Sequence, residues 1–152
     1  MSISSLLKSE IPQYNLTLPL AGRNVNFRPY YVKEEKILLL AIEQGSEKAI
    51  MNAIKNLIES CIDEIEDAGD LSLIDLEYLF LNLRAKSVGE KVQPTFVCPI
   101  SGKDIKTKID LTTIKLNKKK PKNKIKLSDS VGITINYPTL NILTKCGIDD
   151  IY

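Results

Sequence analysis

At 152 residues the chain is long enough to bury roughly two thirds of its unfolded surface in one core, and 43% apolar with 26% charged residues is the balance of an ordinary globular protein. It contains no histidine, which excludes a Ser-His-Asp or Cys-His centre built within the chain and removes the commonest metal ligand. The net charge of +2 hides an asymmetry: residues 1–90 hold nine Lys/Arg against fourteen Asp/Glu, a balance of −5, and residues 91–152 hold twelve Lys against five Asp/Glu, a balance of +7. Such a dipolar chain suits head-to-tail docking or a partner of opposite sign on each side. The alternative is that its solvated faces simply differ.

Residues 1–12 are Ser-rich, end in Ile11-Pro12, and read as a flexible arm. No basic start precedes an apolar segment, so no signal peptide is expected. Tyr14, Leu16 and Leu18 alternate with polar residues, as do Val25 and Phe27. That is the period of half-buried strands, with Pro19-Leu20-Ala21-Gly22 as the hairpin connection. Pro29 ends the second strand because it has no N–H for a ladder. Val32 to Glu43 reads as a helix with Glu34 and Glu35 in its first turn, where they complement the dipole. Its Ile37 to Ile42 run is apolar nearly all round, which predicts deep burial. The run is too short to span a bilayer.

Gly45 suits a helix C-cap. Ser46 suits the N-cap of a second helix running to about Ile65. Ile50, Ile54, Leu57, Ile58, Cys61, Ile62 and Ile65 make its apolar stripe. Gly69 breaks it. A third helix follows, with Ser72 as cap and Asp75 three residues later, as in a capping box with Asp in place of Glu. Leu73, Leu76, Leu79, Phe80 and Leu83 fall on one face, and Arg84 and Lys86 close the last turn. Three helices with short joints should pack as an antiparallel cluster. Composition shifts at Val88-Gly89. Beyond it, strands are expected at 92–97, 105–109, 124–127 and 133–136, with a last short helix from Leu140 to about Cys146-Gly147. The fold class is α+β: an N-terminal β-hairpin, a three-helix core and a C-terminal antiparallel β region. Residues 13–90 are expected to form the hairpin and helical core, and residues 91–152 a basic β-rich region in one compact unit with them.

Few residues offer chemistry. Cys61, Cys98 and Cys146 lie far apart and are odd in number, which reads as reduced thiols, not a disulfide framework. Cys98-Pro99 resembles half of a zinc knuckle, but a structural zinc site needs four ligands and no partner pair is present. The carboxylates of 63–70 lack the spacing of a calcium loop. No Gly-rich phosphate loop occurs. No catalytic, metal or cofactor-binding residue is therefore assigned, and the chain is expected not to be an enzyme. The run Lys118, Lys119, Lys120, Lys122, Lys124 admits three readings: a solvated hairpin loop, contact with an acidic protein face, or nucleic-acid binding. No aromatic residue lies within it to stack on a base. Arg28-Pro29-Tyr30-Tyr31 and Arg84-Ala85-Lys86-Ser87 each put a cation at the end of an element. They serve either as parts of a docking surface or as local caps and intrachain ion pairs.

Three segments carry a family resemblance: Leu18 to Glu43 (LPLAGRNVNFRPYYVKEEKILLLAIE), Asp67 to Lys86 with its Ser87-Val88-Gly89-Glu90 exit, and Gly132 to Leu140 (GITINYPTL). In that order they resemble the baseplate hub family of T-even-like contractile-tailed phages. Many relatives in that family carry a paired-cysteine turn where this chain has Cys98-Pro99-Ile100-Ser101-Gly102; the second cysteine is absent here, a departure from any metal site the resemblance would imply. The resemblance implies a non-enzymatic protein of the virion tail baseplate, made in the host cytoplasm. It would be a hub subunit or a factor needed to assemble the hub. Its partners would be other tail and baseplate proteins, with several copies in a symmetric assembly. The competing class is a basic protein that binds nucleic acid through Lys118 to Lys124.

Overall fold

The computed structural model describes residues 11–116 and 123–146. Most of the expected N-terminal arm, Lys118, Lys119, Lys120 and Lys122, and residues 147–152 lie outside the described residues. Strands β1 (Tyr14–Thr17) and β2 (Asn24–Phe27) pair antiparallel with Tyr14 opposite Phe27 and Leu16 opposite Val25. Gly22, at φ +69°, lets the turn close, and Leu18 N–H donates to Arg23 carbonyl at 2.9 Å. Leu18, Val25 and Phe27 enter the core.

Three helices follow: α1 (Val32–Glu43), α2 (Glu47–Cys61) and α3 (Leu73–Ser87). Ser46 caps α2 through the Ala49 N–H, and Ser72 caps α3 through the Asp75 N–H at 3.1 Å. A 3-10 turn at Ala68–Asp70 joins α2 to α3. The α2 stripe is buried as its spacing predicts, at Leu57, Ile58 and Cys61. The helix stops at Cys61 and not near Ile65. Arg28 takes the carbonyls that would continue it: its backbone N–H donates to Cys61 and its guanidinium to Ser60. The acidic residues that follow also suit a helix C-terminus poorly. Ile62 and Ile65 are nevertheless buried in the segment beyond.

Two other local expectations fail. Asp75 does not complete a capping box. Its carboxylate reaches back 54 and 55 residues to accept the N–H groups of Ala21 (3.1 Å) and Leu20 (2.9 Å), and so fastens the β1–β2 turn to α3. Helix α1 is not deeply buried. Only Glu34, Leu38 and Ala41 are covered, and Ile37, Leu39, Leu40 and Ile42 face outward. Within the described residues α1 lies mainly against α2, so one side of it meets the chain and the rest does not.

The C-terminal half adds small antiparallel pairs. β3 (Lys91–Val92) pairs with β6 (Ile109–Asp110), and β4 (Thr95–Val97) pairs with β5 (Asp104–Lys106). Together they form one long irregular hairpin, where a single strand was expected on each side. Its base is tied to the end of α3: Leu111 N–H donates to Glu90 carbonyl at 2.8 Å, and Leu111 is buried. β7 (Lys124–Lys126) pairs with β8 (Gly132–Thr134). Helix α4 (Leu140–Cys146) then returns to the body. Leu140 joins the core, and the Asn141 amide donates to Asp67 (3.1 Å) and Asp70 (2.8 Å). The fold is α+β.

Candidate docking surface

The residues flagged as docking candidates divide sharply once placed. Arg28 follows β2 directly, where the chain passes between the C-terminus of α2 and the N-terminus of α1. Its guanidinium donates to the Glu34 carboxylate at 2.8 and 3.2 Å, to Pro29 carbonyl at 3.0 Å and to Ser60 carbonyl at 2.7 Å. It also lies 4.4 Å from the centre of the Tyr31 ring. Glu34 accepts a further bond from Tyr31 N–H. Burial pulls the Glu34 carboxyl upward. The Arg28 and Tyr31 hydrogen bonds outweigh it, so the group ends below its ordinary value. Arg28 is thus committed to the chain's own helix ends. Ser87 is committed too: its hydroxyl accepts Tyr30 N–H (3.0 Å) and donates to Leu83 carbonyl (2.6 Å).

The segments 28–34 and 84–87 therefore meet, through the Tyr30–Ser87 bond. Around that junction stand the groups still open to a partner. Tyr31 is exposed. Arg84 is half-buried and makes no side-chain hydrogen bond or ion pair among the described residues, though it lies near enough to Tyr30 to be felt electrostatically. Lys86 pairs with Glu90 (2.5 Å) and stands 5.2 Å from the Tyr14 ring centre. An exposed pair of this kind is weak and exchanges readily for another partner. Lys124 is exposed but belongs to the separate β7–β8 pair, opposite Thr134.

A stronger feature was not singled out in the sequence. The two hairpins leave large apolar side chains in the open. On the first, Phe96 faces Ile105 across the ladder, with Val97 and Ile100 nearby. On the second, Ile125 faces Ile133, with Leu127 and Val131 beside them. The signal was present as β-branched and aromatic residues between turn residues. Whether such strands are covered depends on long-range packing that their spacing does not encode.

The remaining polar clusters are structural. Asp67 accepts from Lys55 (2.7 Å), from Asn141 and from Gly69 N–H (2.7 Å), and these hold its carboxyl down at about 2. Among the described residues no group of three or more Cys, Asp or Glu is placed to hold a metal ion. Hydrogen bonds from the Ser101 hydroxyl and from the Ser101 and Ile100 N–H groups lower the Cys98 thiol. Burial pushes the Cys61 thiol up to about 11. No helix of the described residues is long and apolar enough to cross a membrane.

A family model described as T4 bacteriophage base plate protein matches residues 11–151, nearly the whole chain. Comparisons with curated proteins and with solved structures find no match.

Proposed function

This chain belongs to the T4 bacteriophage base plate protein family, and from that premise we propose that it is a structural part of the baseplate hub or a factor required to build it. It acts without covalent chemistry, by docking onto other tail and baseplate proteins. It works in several copies within a symmetric assembly, in the tail baseplate of the virion and, during assembly, in the host cytoplasm. The observation that carries the docking mechanism is the pair of open hairpins. An isolated two-stranded hairpin is marginally stable in water, and exposed apolar side chains grouped on one element mark an interaction site. Phe96, Ile105, Ile125 and Ile133 gain cover when a neighbouring protein seats on them. Arg84, Tyr31 and Lys86 supply a second, polar contact at the helix junction. Arg28 and Ser87 serve by holding that junction together.

Quantitative mass spectrometry of purified particles beside the infected-cell lysate tests this. A fixed stoichiometry with tail proteins marks a permanent subunit. Presence on hub intermediates with absence from particles marks an assembly factor. Absence from both refutes the reading.

A further inference from the structure

The outward side of α1 is apolar at its centre and oppositely charged at its two ends. Lys36, Leu39, Leu40 and Glu43 recur at spacings of three, four and seven and so share one face of the helix, opposite the buried Glu34, Leu38 and Ala41. Leu39 is 53% exposed and Leu40 48%, and the flanking Ile37 and Ile42 are 56% and 51%. Lys36 and Glu43 are exposed, and neither makes an ion pair within the described chain. The order of chemistry along the helix is close to palindromic about the Leu39–Leu40 bond. Read outward from that point, each direction gives an exposed Leu, then a buried residue (Leu38 one way, Ala41 the other), then an exposed Ile, then a charge, and the two end charges are of opposite sign.

We infer that α1 is a self-docking surface that pairs antiparallel with α1 of a second copy of this chain about a two-fold axis. An isologous contact requires a self-complementary patch. In this register Lys36 meets the partner's Glu43, Ile37 meets the partner's Ile42, and Leu39 meets the partner's Leu40. Each contact occurs twice. A parallel pairing would instead set Lys36 against the partner's Lys36 and Glu43 against the partner's Glu43, so the charges select the antiparallel arrangement. A 12-residue helix is about 18 Å long. A contact of that length falls below the roughly 1,200 Å² of a standard stable interface. The dimer is therefore weak and concentration-dependent, and suited to completion inside a larger assembly. This inference goes beyond the hub reading and does not depend on it. A monomer would refute the pairing and leave docking to other baseplate proteins standing.

Sedimentation velocity of the full chain from about 10 µM to about 1 mM tests it, spanning the range in which an interface below standard size associates. The wild-type chain is expected to show a reversible monomer–dimer equilibrium. Lys36→Glu alone and Glu43→Lys alone each turn two attractive pairs into two repulsive ones and weaken it about tenfold or more. The doubly swapped chain K36E/E43K restores the dimer. A mixture of the two single variants forms a heterodimer near wild-type affinity, because every cross-pair is then complementary, and that recovery also shows both variants are folded. A wild-type chain that stays monomeric overturns the inference, as does a dimer indifferent to both single swaps or a mixture with no heterodimer.

Discussion

Replacing Arg28 with Ala tests whether this residue is the clasp between helix ends that its bonds describe. The guanidinium side chain is 17% exposed and its Glu34 partner 8%. Removing one member of a well-buried pair costs about 3–5 kcal/mol, because the other charge stays behind without compensation. Here Tyr31 N–H still bonds Glu34, and the arginine edge is partly open to water, which lowers the expectation to about 2–4 kcal/mol. For a chain of 152 residues this is a melting shift of roughly 4–16 °C at about 2–4 °C per kcal/mol. Arg28→Lys keeps the charge but cannot reach Glu34, Pro29 and Ser60 together, and should lose about 1–2 kcal/mol. Urea unfolding followed by far-UV circular dichroism reads all three chains. The Arg28→Ala/Glu34→Ala double variant should be less destabilised than the two single losses summed, by about 1 kcal/mol or more. An Arg28→Ala variant within about 0.5 kcal/mol of wild type, the range of a surface change, or strict additivity in the double variant, would show that Arg28 does not clasp the helix ends.

Asp75→Asn keeps the volume but aims an amide NH2 at one of the two N–H groups that the carboxylate accepts. It should destabilise by about 2 kcal/mol in the same assay, and a neutral result would show that the turn anchor is dispensable. The Asp67 carboxyl, held at about 2 against its ordinary 3.8, contributes stability in full above the ordinary value and loses it as pH falls from about 3.8 toward 2. Asp67→Asn should therefore flatten that stretch of an acid-unfolding profile, and an unchanged slope would remove Asp67 from the account. Gly69→Ala puts a methyl group onto the Asn141 amide and the Asp67 carboxylate. It should loosen α4 from the body, seen as faster amide exchange over 140–146, whereas unchanged protection would place the attachment elsewhere. Thiol labelling at neutral pH should modify Cys98 in the native chain and Cys61 only after unfolding; equal rates would contradict the burial of α2.

Much of the body was legible because its signals are local. The α2 stripe, the Ser46 and Ser72 caps, the 19–22 turn and the α3 face each depend on residues within a few positions of one another. The misses share a different cause. Asp75 looked like half of a capping box, and nothing nearby in sequence announces that Leu20 and Ala21 will be its partners. The end of α2 depends on Arg28, 32 residues before Ser60. Helix α1 read as buried because a run that is apolar all round signals cover without saying what supplies it. The chain covers one side and leaves Ile37, Leu39, Leu40 and Ile42 exposed on the other. Among the docking candidates the sequence could not separate Arg28, which is spent on internal partners, from Arg84, which makes no side-chain hydrogen bond or ion pair among the described residues.

On the proposed function, the open hairpins are surfaces that the baseplate covers. Amide hydrogen exchange resolved to segments 95–106 and 124–134, compared between the free chain and the same chain in isolated hub assemblies, tests it most directly. Fast exchange is expected in the free chain, as for strands with few buried contacts, with strong protection of at least one hairpin in the assembly. Equally fast exchange at both hairpins in the two states would contradict it.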